Sequence, residues 1–252
     1  MTHRPIVLVT GASKGIGAAV AKHFALEGYD VCVNYHSDAE GAERVVASCR
    51  LLGAEAVAVQ GDVASRADVE RLFRSCDEQL GTLSCLINNA GIIGGRSTLE
   101  ALDDETLHAV FETNVFGAFY CVREAIARMS RSRGGKGGSI INISSLASLI
   151  GSPNEYVHYA ATKGALDTLT SGAGKELAPD GIRVNGIRVG TTNTTMHETS
   201  GNPDRPAQVA QMTPMGRIAD PSDIAKAALW LASEQSGFVA GTFLTVAGGL
   251  AP

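Results

Sequence analysis

The sequence predicts a doubly wound α/β fold, a parallel sheet of about seven strands with helices on both faces, and three observations carry the prediction. Short β-branched runs alternate with longer segments of helical periodicity along the whole chain. The runs are apolar on both faces, as strands covered by helices on either side must be. Glycine is abundant, 29 of 252 residues, without a collagen-like period or a low-complexity tract, which suits many tight strand-to-helix turns.

Taken in order, the strands are expected at 6–10 (IVLVT), 31–35 (VCVNY), 55–60 (EAVAVQ), 83–88 (LSCLIN), 139–144 (SIINIS), 182–189 (IRVNGIRV) and 243–246 (FLTV). Helices are expected near 15–28, 38–52, 65–80, 103–131, 155–178 and 220–233. No linker divides the pattern, so residues 1–252 read as one domain. Two stretches break the rhythm: the basic, glycine-rich RSRGGKGG at 131–138, and a polar stretch at 190–219 whose length is that of a lid or binding loop.

Composition narrows the function. An apolar fraction of 44% with 19% charged residues is that of an ordinary soluble globule. A net charge of −5 argues against non-specific nucleic-acid binding. Cys32, Cys49, Cys76, Cys85 and Cys121 are scattered with no C-x-x-C pair, which fits reduced thiols rather than a disulfide framework or a zinc site. The N-terminus enters a strand almost at once, leaving no room for a signal peptide, and no apolar run approaches a membrane span. The expected setting is the cytoplasm.

Chemistry is concentrated at two places. VTGASKGIG joins the first strand to the first helix, with Gly11, Gly15 and Gly17 spaced G-x-x-x-G-x-G. Residues without side chains let a backbone approach a pyrophosphate, and the N–H groups of the helix start face the anion. The second place is YVHYAATKGALDTL at 156–169, where Tyr159 and Lys163 lie one helical turn apart on one face. A phenol beside an ammonium suits proton transfer, since the positive charge favours the phenolate. Tyr156 has Ala160 at the equivalent position, and reads as a packing or substrate-rim residue.

The ordered set TGASKGIG, NNAG at 88–91, ETNVFGAF around Asn114, NISS, YAATK and IRVNGIRVG resembles the short-chain dehydrogenase/reductase family from about residue 5 to 250. Within it, VNY and GSPNEYVHYAATKGALDTLT are most similar to bacterial glucose or sugar dehydrogenase-like oxidoreductases. The resemblance implies a Rossmann-type oxidoreductase that interconverts an alcohol and a ketone or aldehyde, assembled as a homotetramer, with no metal. It implies Tyr159 as acid/base, Lys163 as its partner and nicotinamide-ribose contact, Ser145 as the group bonding the substrate oxygen, and Asn114 as a residue whose backbone distorts its helix to hold a relay water. Ser144 and Ser148 are competing serines, and Leu146 occupies the spacing usual for the serine.

For the cofactor the resemblance implies contacts from Gly11, Ser13, Lys14, Gly15, Ile16 and Gly17, from Asn34, Tyr35, His36 and Ser37 after the second strand, and from Asp62 and Val63 after the third. Asn89, Ala90 and Gly91, with Asn88 before them, would line the adenosine-ribose side, and Tyr159, Lys163, Gly190, Thr192 and Thr194 the nicotinamide side. Asp62 reads alternatively as a cap for the helix beginning near Ser65. NADP(H) is expected over NAD(H), because no carboxylate stands at 35–37 and Lys14 supplies a cation. Val189-Gly190 replaces the usual proline-glycine, Thr192 a hydrophobic residue and Ala247 an aspartate. A sugar or small polyol is the expected substrate; a carrier-bound 3-oxoacyl chain (which the basic cluster Arg123, Arg128, Arg131, Arg133 and Lys136 could help dock), a xenobiotic ketone, and a non-catalytic dinucleotide-binding regulator are the alternatives.

Overall fold

The computed structural model describes residues 4–196 and 204–250. Seven strands form one parallel sheet in the order β3-β2-β1-β4-β5-β6-β7. They are β1 (Ile6–Val9), β2 (Asp30–Tyr35), β3 (Ala56–Gln60), β4 (Cys85–Asn88), β5 (Gly138–Ser145), β6 (Ile182–Val189) and β7 (Phe243–Val246). The helices are α1 (Gly15–Leu26), α2 (Ala39–Leu51), α3 (Arg66–Gln79), α4 (Asp104–Phe111), α5 (Gly117–Met129), α6 (Ala147–Ile150), α7 (Val157–Glu176), α8 (Arg205–Met212) and α9 (Pro221–Ala232).

Each face of the sheet carries its own core. On one, Val7, Val9, Ile141 and Ile187 pack under Phe24 of α1, Val45 of α2 and Ile224 of α9. On the other, Leu8, Leu86, Ile140 and Val184 pack under Phe73 of α3, Met129 of α5 and Ala173 of α7. Successive strand residues point to opposite faces, so strands sandwiched this way read as continuous apolar runs.

Because the strands are parallel, their C-terminal ends share one edge, and the chain leaves β1 and β4 toward opposite sides of the sheet. The crevice there is where an α/β sheet accepts a ligand. Three local departures from the sequence pattern bear on it. The helix expected at 103–131 is broken by a π-turn at Glu112–Phe116. Part of the expected loop before α7 folds as α6. The stretch at 190–219 is ordered at both described ends: Thr192 pairs with Ala219, the Asn193 N–H donates to Ala219 O at 2.9 Å, and α8 lies between. Residues 197–203 of that stretch lie outside the described residues. Among the described residues no helix is long and apolar enough to cross a membrane.

Candidate active site

The glycine turn after β1 is held open by backbone that no side chain could share. Gly11 and Gly15 adopt φ of +61° and +57°, the left-handed region that favours glycine. A Cβ on Gly17 would lie 2.5 Å from Gly11 O and 2.6 Å from Asn89 Nδ2. Lys14 stands at the N-cap of α1 without bonding the first turn through its side chain, so the free N–H groups of the helix start have no cap.

Two asparagines brace this turn. Asn89 Nδ2 donates to Thr10 O (2.8 Å) and Gly11 O (2.9 Å), while Thr10 Oγ1 accepts from the Asn89 and Ala90 N–H groups, both at 3.0 Å. Asn34 Oδ1 accepts from Gly11 N at 3.1 Å, and its Nδ2 donates to Gly61 O at 3.0 Å. Asn34 is fully buried, so its side chain shapes the turn from beneath. A backbone cradle at a helix start, filled by any Cβ at position 17, suits a dinucleotide pyrophosphate, and the residues present fit NAD(P).

Beyond β2, Tyr35 is half-buried, while His36, Ser37 and Lys14 are exposed. His36 Nε2 lies 3.9 Å from Asp62 Oδ2. The start of α3 is capped by Ser65, whose side chain accepts from Asp68 N, so the capping role weighed for Asp62 belongs to Ser65. Asp62 Oδ1 accepts from Ala64 N at 2.9 Å. Val63 is buried with its carbonyl against Gly117, where a Cβ would come within 2.9 Å. Ser13 is half-buried in the turn.

A cavity of about 370 Å³ opens at the C-terminal ends of β4, β5 and β6. It gathers Ser145 from β5, Tyr159 and Lys163 from α7, Ile16 from α1, Asn89 and Gly91 from beyond β4, and Gly190, Thr192 and Thr194 from beyond β6. The serines separate cleanly. Ser144 Oγ turns to α7 and donates to Asp167 Oδ1 at 2.5 Å. Ser148 Oγ donates to Ser145 O at 2.8 Å. Ser145 Oγ accepts from Ala147 N at 3.1 Å and lines the cavity with Tyr159, whose phenol it acidifies. The short helix α6 lies between this serine and the tyrosine.

Lys163 is buried and donates to Ile143 O at 2.8 Å, with its ammonium 5.6 Å from the centroid of the Tyr159 ring. Burial pulls the Lys163 pKa down to about 8, against the attraction of Asp167. Burial pushes the Tyr159 phenol up to about 12, and the Ser145 hydrogen bond opposes the rise. The acidified phenol expected from the sequence is therefore not produced by the protein alone. Asp167 is itself held by Arg188 Nε at 2.9 Å, and the Arg188 guanidinium stacks 4.0 Å from the Phe243 ring centroid.

Asn114 sits in the π-turn, behind Gly91 rather than in the cavity wall. A Cβ at Gly91 would be 3.2 Å from Asn114 Oδ1 and 3.6 Å from Lys163 Nζ. Its side chain pairs with both backbone groups of Ile92, accepting from the N–H at 2.8 Å and donating to the carbonyl at 2.8 Å, and also donates to Thr162 Oγ1 at 3.1 Å. Thr162 Oγ1 in turn donates to Tyr159 O at 2.7 Å. Asn114 thus ties the segment after β4 to the helix that carries Tyr159.

Two features of the site were missed in the sequence, and a third was left between two readings that both hold. Asp167 stands four residues after Lys163, a spacing that could have announced it. The cavity walls supplied by Ile93 and Met212 carry no local sequence signal. Tyr156, expected as packing or rim, is buried and lines the same cavity as Tyr159.

Comparison with known proteins agrees with this geometry. The family profile described as Enoyl-(Acyl carrier protein) reductase matches residues 11–251. The chain is 44% identical to the uncharacterised oxidoreductase YgfF of Escherichia coli (strain K12), covering 97% of this chain and 99% of that protein. It is 39% identical to the 3beta-hydroxysteroid dehydrogenase 1 of Eggerthella lenta, over 97% of this chain and 92% of that one. It is 35% identical to the 3-oxoacyl-[acyl-carrier-protein] reductase FabG of Staphylococcus aureus, over 96% of each. A solved short-chain dehydrogenase/reductase of Serratia marcescens, a mutant form of that enzyme, superposes with a TM-score of 0.90 at 31% identity, covering 99% of both chains.

Proposed function

Since the chain belongs to the short-chain dehydrogenase/reductase family and is an NAD(P)-dependent oxidoreductase, we propose that it interconverts a secondary alcohol and a ketone, with Tyr159 as acid/base. The observation that carries this reading is the convergence of Ser145, Tyr159 and Lys163 on one cavity. When bound, the cofactor supplies or accepts the hydride. Gly11, Gly15 and Gly17 hold its pyrophosphate against the start of α1, with Ser13 and Ile16 beside it. Gly190, Thr192 and Thr194 face its nicotinamide end, and Asn89 to Gly91 its ribose.

Ser145 donates to the substrate oxygen while Tyr159 gives that oxygen a proton, or takes one in the reverse direction. Lys163, anchored on Ile143 O, keeps a positive charge near the phenol, and the oxidised cofactor's positive ring adds to it. Asn114 holds the segment opposite Lys163 in place. The stretch at 190–219 acts as the substrate loop, since Val209 and Met212 from it reach the cavity. By their names, the Eggerthella and Staphylococcus relatives act on a hydroxyl-bearing ring and a keto group, which supports a secondary alcohol/ketone pair.

NADP(H) is favoured over NAD(H). Lys14, His36 and Ser37 are exposed beside the end of β2, and Asp38 is occupied in capping α2 through Gly41 N. We also take the assembly to be the homotetramer that family likeness implies, with the exposed Phe116 and Phe119 at the start of α5 available for burial between copies. The test is nicotinamide absorbance in the presence of a panel of ketones and alcohols. Turnover of at least one secondary alcohol/ketone pair supports the reading, and cofactor binding without turnover of any carbonyl compound contradicts it.

A further inference from the structure

We infer that the cavity selects an uncharged, predominantly apolar ketone or alcohol, and that Ser152 supplies its neutral polar contact away from the reacting pair. The inference rests on the reading of Tyr159 and Ser145 as the reacting pair, and goes further by naming the substrate class. Among the described residues lining the cavity, Lys163 alone bears a formal charge, and its ammonium is committed to Ile143 O. Among the described residues an ammonium on the substrate would meet no carboxylate, and a carboxylate or phosphate only an ammonium already bonded to Ile143 O. A buried charge without a free partner is strongly disfavoured.

The walls around the reacting groups come from Ile93, Leu146, Ile150, Val209, Met212 and Leu250. A sugar or small polyol, the substrate expected from the sequence, has a hydroxyl on nearly every carbon. Most of these would lose water against these side chains without gaining a bond. Several of the polar side chains at hand are engaged: Ser144 donates to Asp167, and Thr192 Oγ1 donates to Gly190 O at 3.1 Å.

Ser152 differs. It is buried to 6% exposure, lines the cavity, and its hydroxyl makes no hydrogen bond to any described residue. Its backbone has φ of +45°, a left-handed conformation costly for a side-chain-bearing residue, directly after Gly151 at φ +72°. Its carbonyl receives the N–H groups of Glu155 (3.3 Å) and Tyr156 (3.0 Å), closing the turn into α7. Glycine would serve that turn with less strain. A serine there, with its hydroxyl bonded to no described residue, points to a bond made with the ligand.

The experiment compares 2-decalone, methyl 4-oxocyclohexanecarboxylate, the corresponding free acid and a ketohexose. Each is scored by turnover with wild type and by equilibrium binding to the NADPH-loaded Tyr159→Phe variant, which separates selection from chemistry. The decalone and the ester should be preferred to the acid and the ketohexose by about tenfold or more in both measurements. Ser152→Gly and Ser152→Ala should both weaken the ester by about three- to tenfold, the size of one neutral hydrogen bond, and leave the decalone within about twofold. Ser152→Gly should match or exceed wild type in thermal stability. An acid or ketohexose bound as tightly as the apolar ketones overturns the substrate class. Unchanged ester binding in both variants overturns the role of Ser152. Apolar selection in the binding arm without turnover of any compound leaves the substrate class standing and counts against the proposed reaction instead.

Discussion

The Lys163 ammonium stands 5.6 Å from the centroid of the Tyr159 ring while it donates to Ile143 O at 2.8 Å. Both groups are pulled toward neutrality by the same burial, the lysine to about 8 and the tyrosine to about 12. Burial therefore favours the neutral phenol, and the Ser145 side chain opposes that shift.

Lys163→Met should stabilise the cofactor-free protein while removing activity. The folded-state pKa of Lys163 is depressed, so the unfolded chain binds the extra proton between about pH 8 and the ordinary lysine value near 10.5, and wild-type stability rises with pH across that window. Below it, wild type carries the cost of a buried ammonium that the methionine lacks. Denaturant unfolding should place the variant about 1–3 kcal/mol above wild type at neutral pH. The gap should narrow as pH approaches 10.5. A gap that widens with pH would refute the depressed lysine.

Lys14→Ala tests the cofactor preference. An exposed charge pair alone is worth about 0–1 kcal/mol. A 2′-phosphate bonded by Lys14 and Ser37 together should gain more, since charge-assisted bonds are worth about 1.5–3 kcal/mol each before ordering costs. Titration should show wild type binding NADPH more tightly than NADH, and the variant losing affinity mainly for NADPH. Equal losses for both cofactors would contradict the preference.

Asn114→Ala should loosen the segment after β4. It leaves both backbone groups of Ile92 without their side-chain partner, at a cost of about 1–3 kcal/mol for each that water does not reach. Amide exchange at Ile92 should accelerate, and turnover should fall more than cofactor affinity. Unaltered exchange would show that Asn114 does not hold this segment.

Gly17→Ala places a methyl 2.5 Å from Gly11 O and 2.9 Å from Ala12 Cα, both backbone atoms that cannot swing aside. Overpacking of this kind costs about 1–3 kcal/mol. Both the melting temperature and dinucleotide affinity should drop. A variant with native affinity for NADPH would mean the cradle is not where the pyrophosphate rests.

The sheet and the glycine turn were legible in the sequence because their signals are local: β-branched runs of strand length and glycines at fixed offsets. The alignment of Tyr159 with Lys163 was legible for the same reason, as helical spacing puts them on one face. What escaped was set by tertiary contact. A distorted helix at Asn114 was implied by the family resemblance, but the bonds by which its side chain holds Ile92 were not. Ser145 was preferred to Ser144 through the resemblance, but the Asp167–Arg188 pair that engages Ser144 was not legible. The rise of the Tyr159 pKa depends on how deeply α7 is covered, which spacing does not encode. The apolar cavity walls come from segments far apart in the chain, so a sugar could not be weighed against an apolar ketone before they were brought together.

The central claim is that Tyr159, rather than the neighbouring Tyr156 that lines the same cavity, transfers the proton. The most direct measurement sets turnover and NADPH affinity of Tyr159→Phe beside those of Tyr156→Phe. The account predicts near-native NADPH binding in both, turnover abolished in Tyr159→Phe, and most of it retained in Tyr156→Phe. Equal losses of turnover in the two variants, or substantial turnover remaining in Tyr159→Phe, would contradict it.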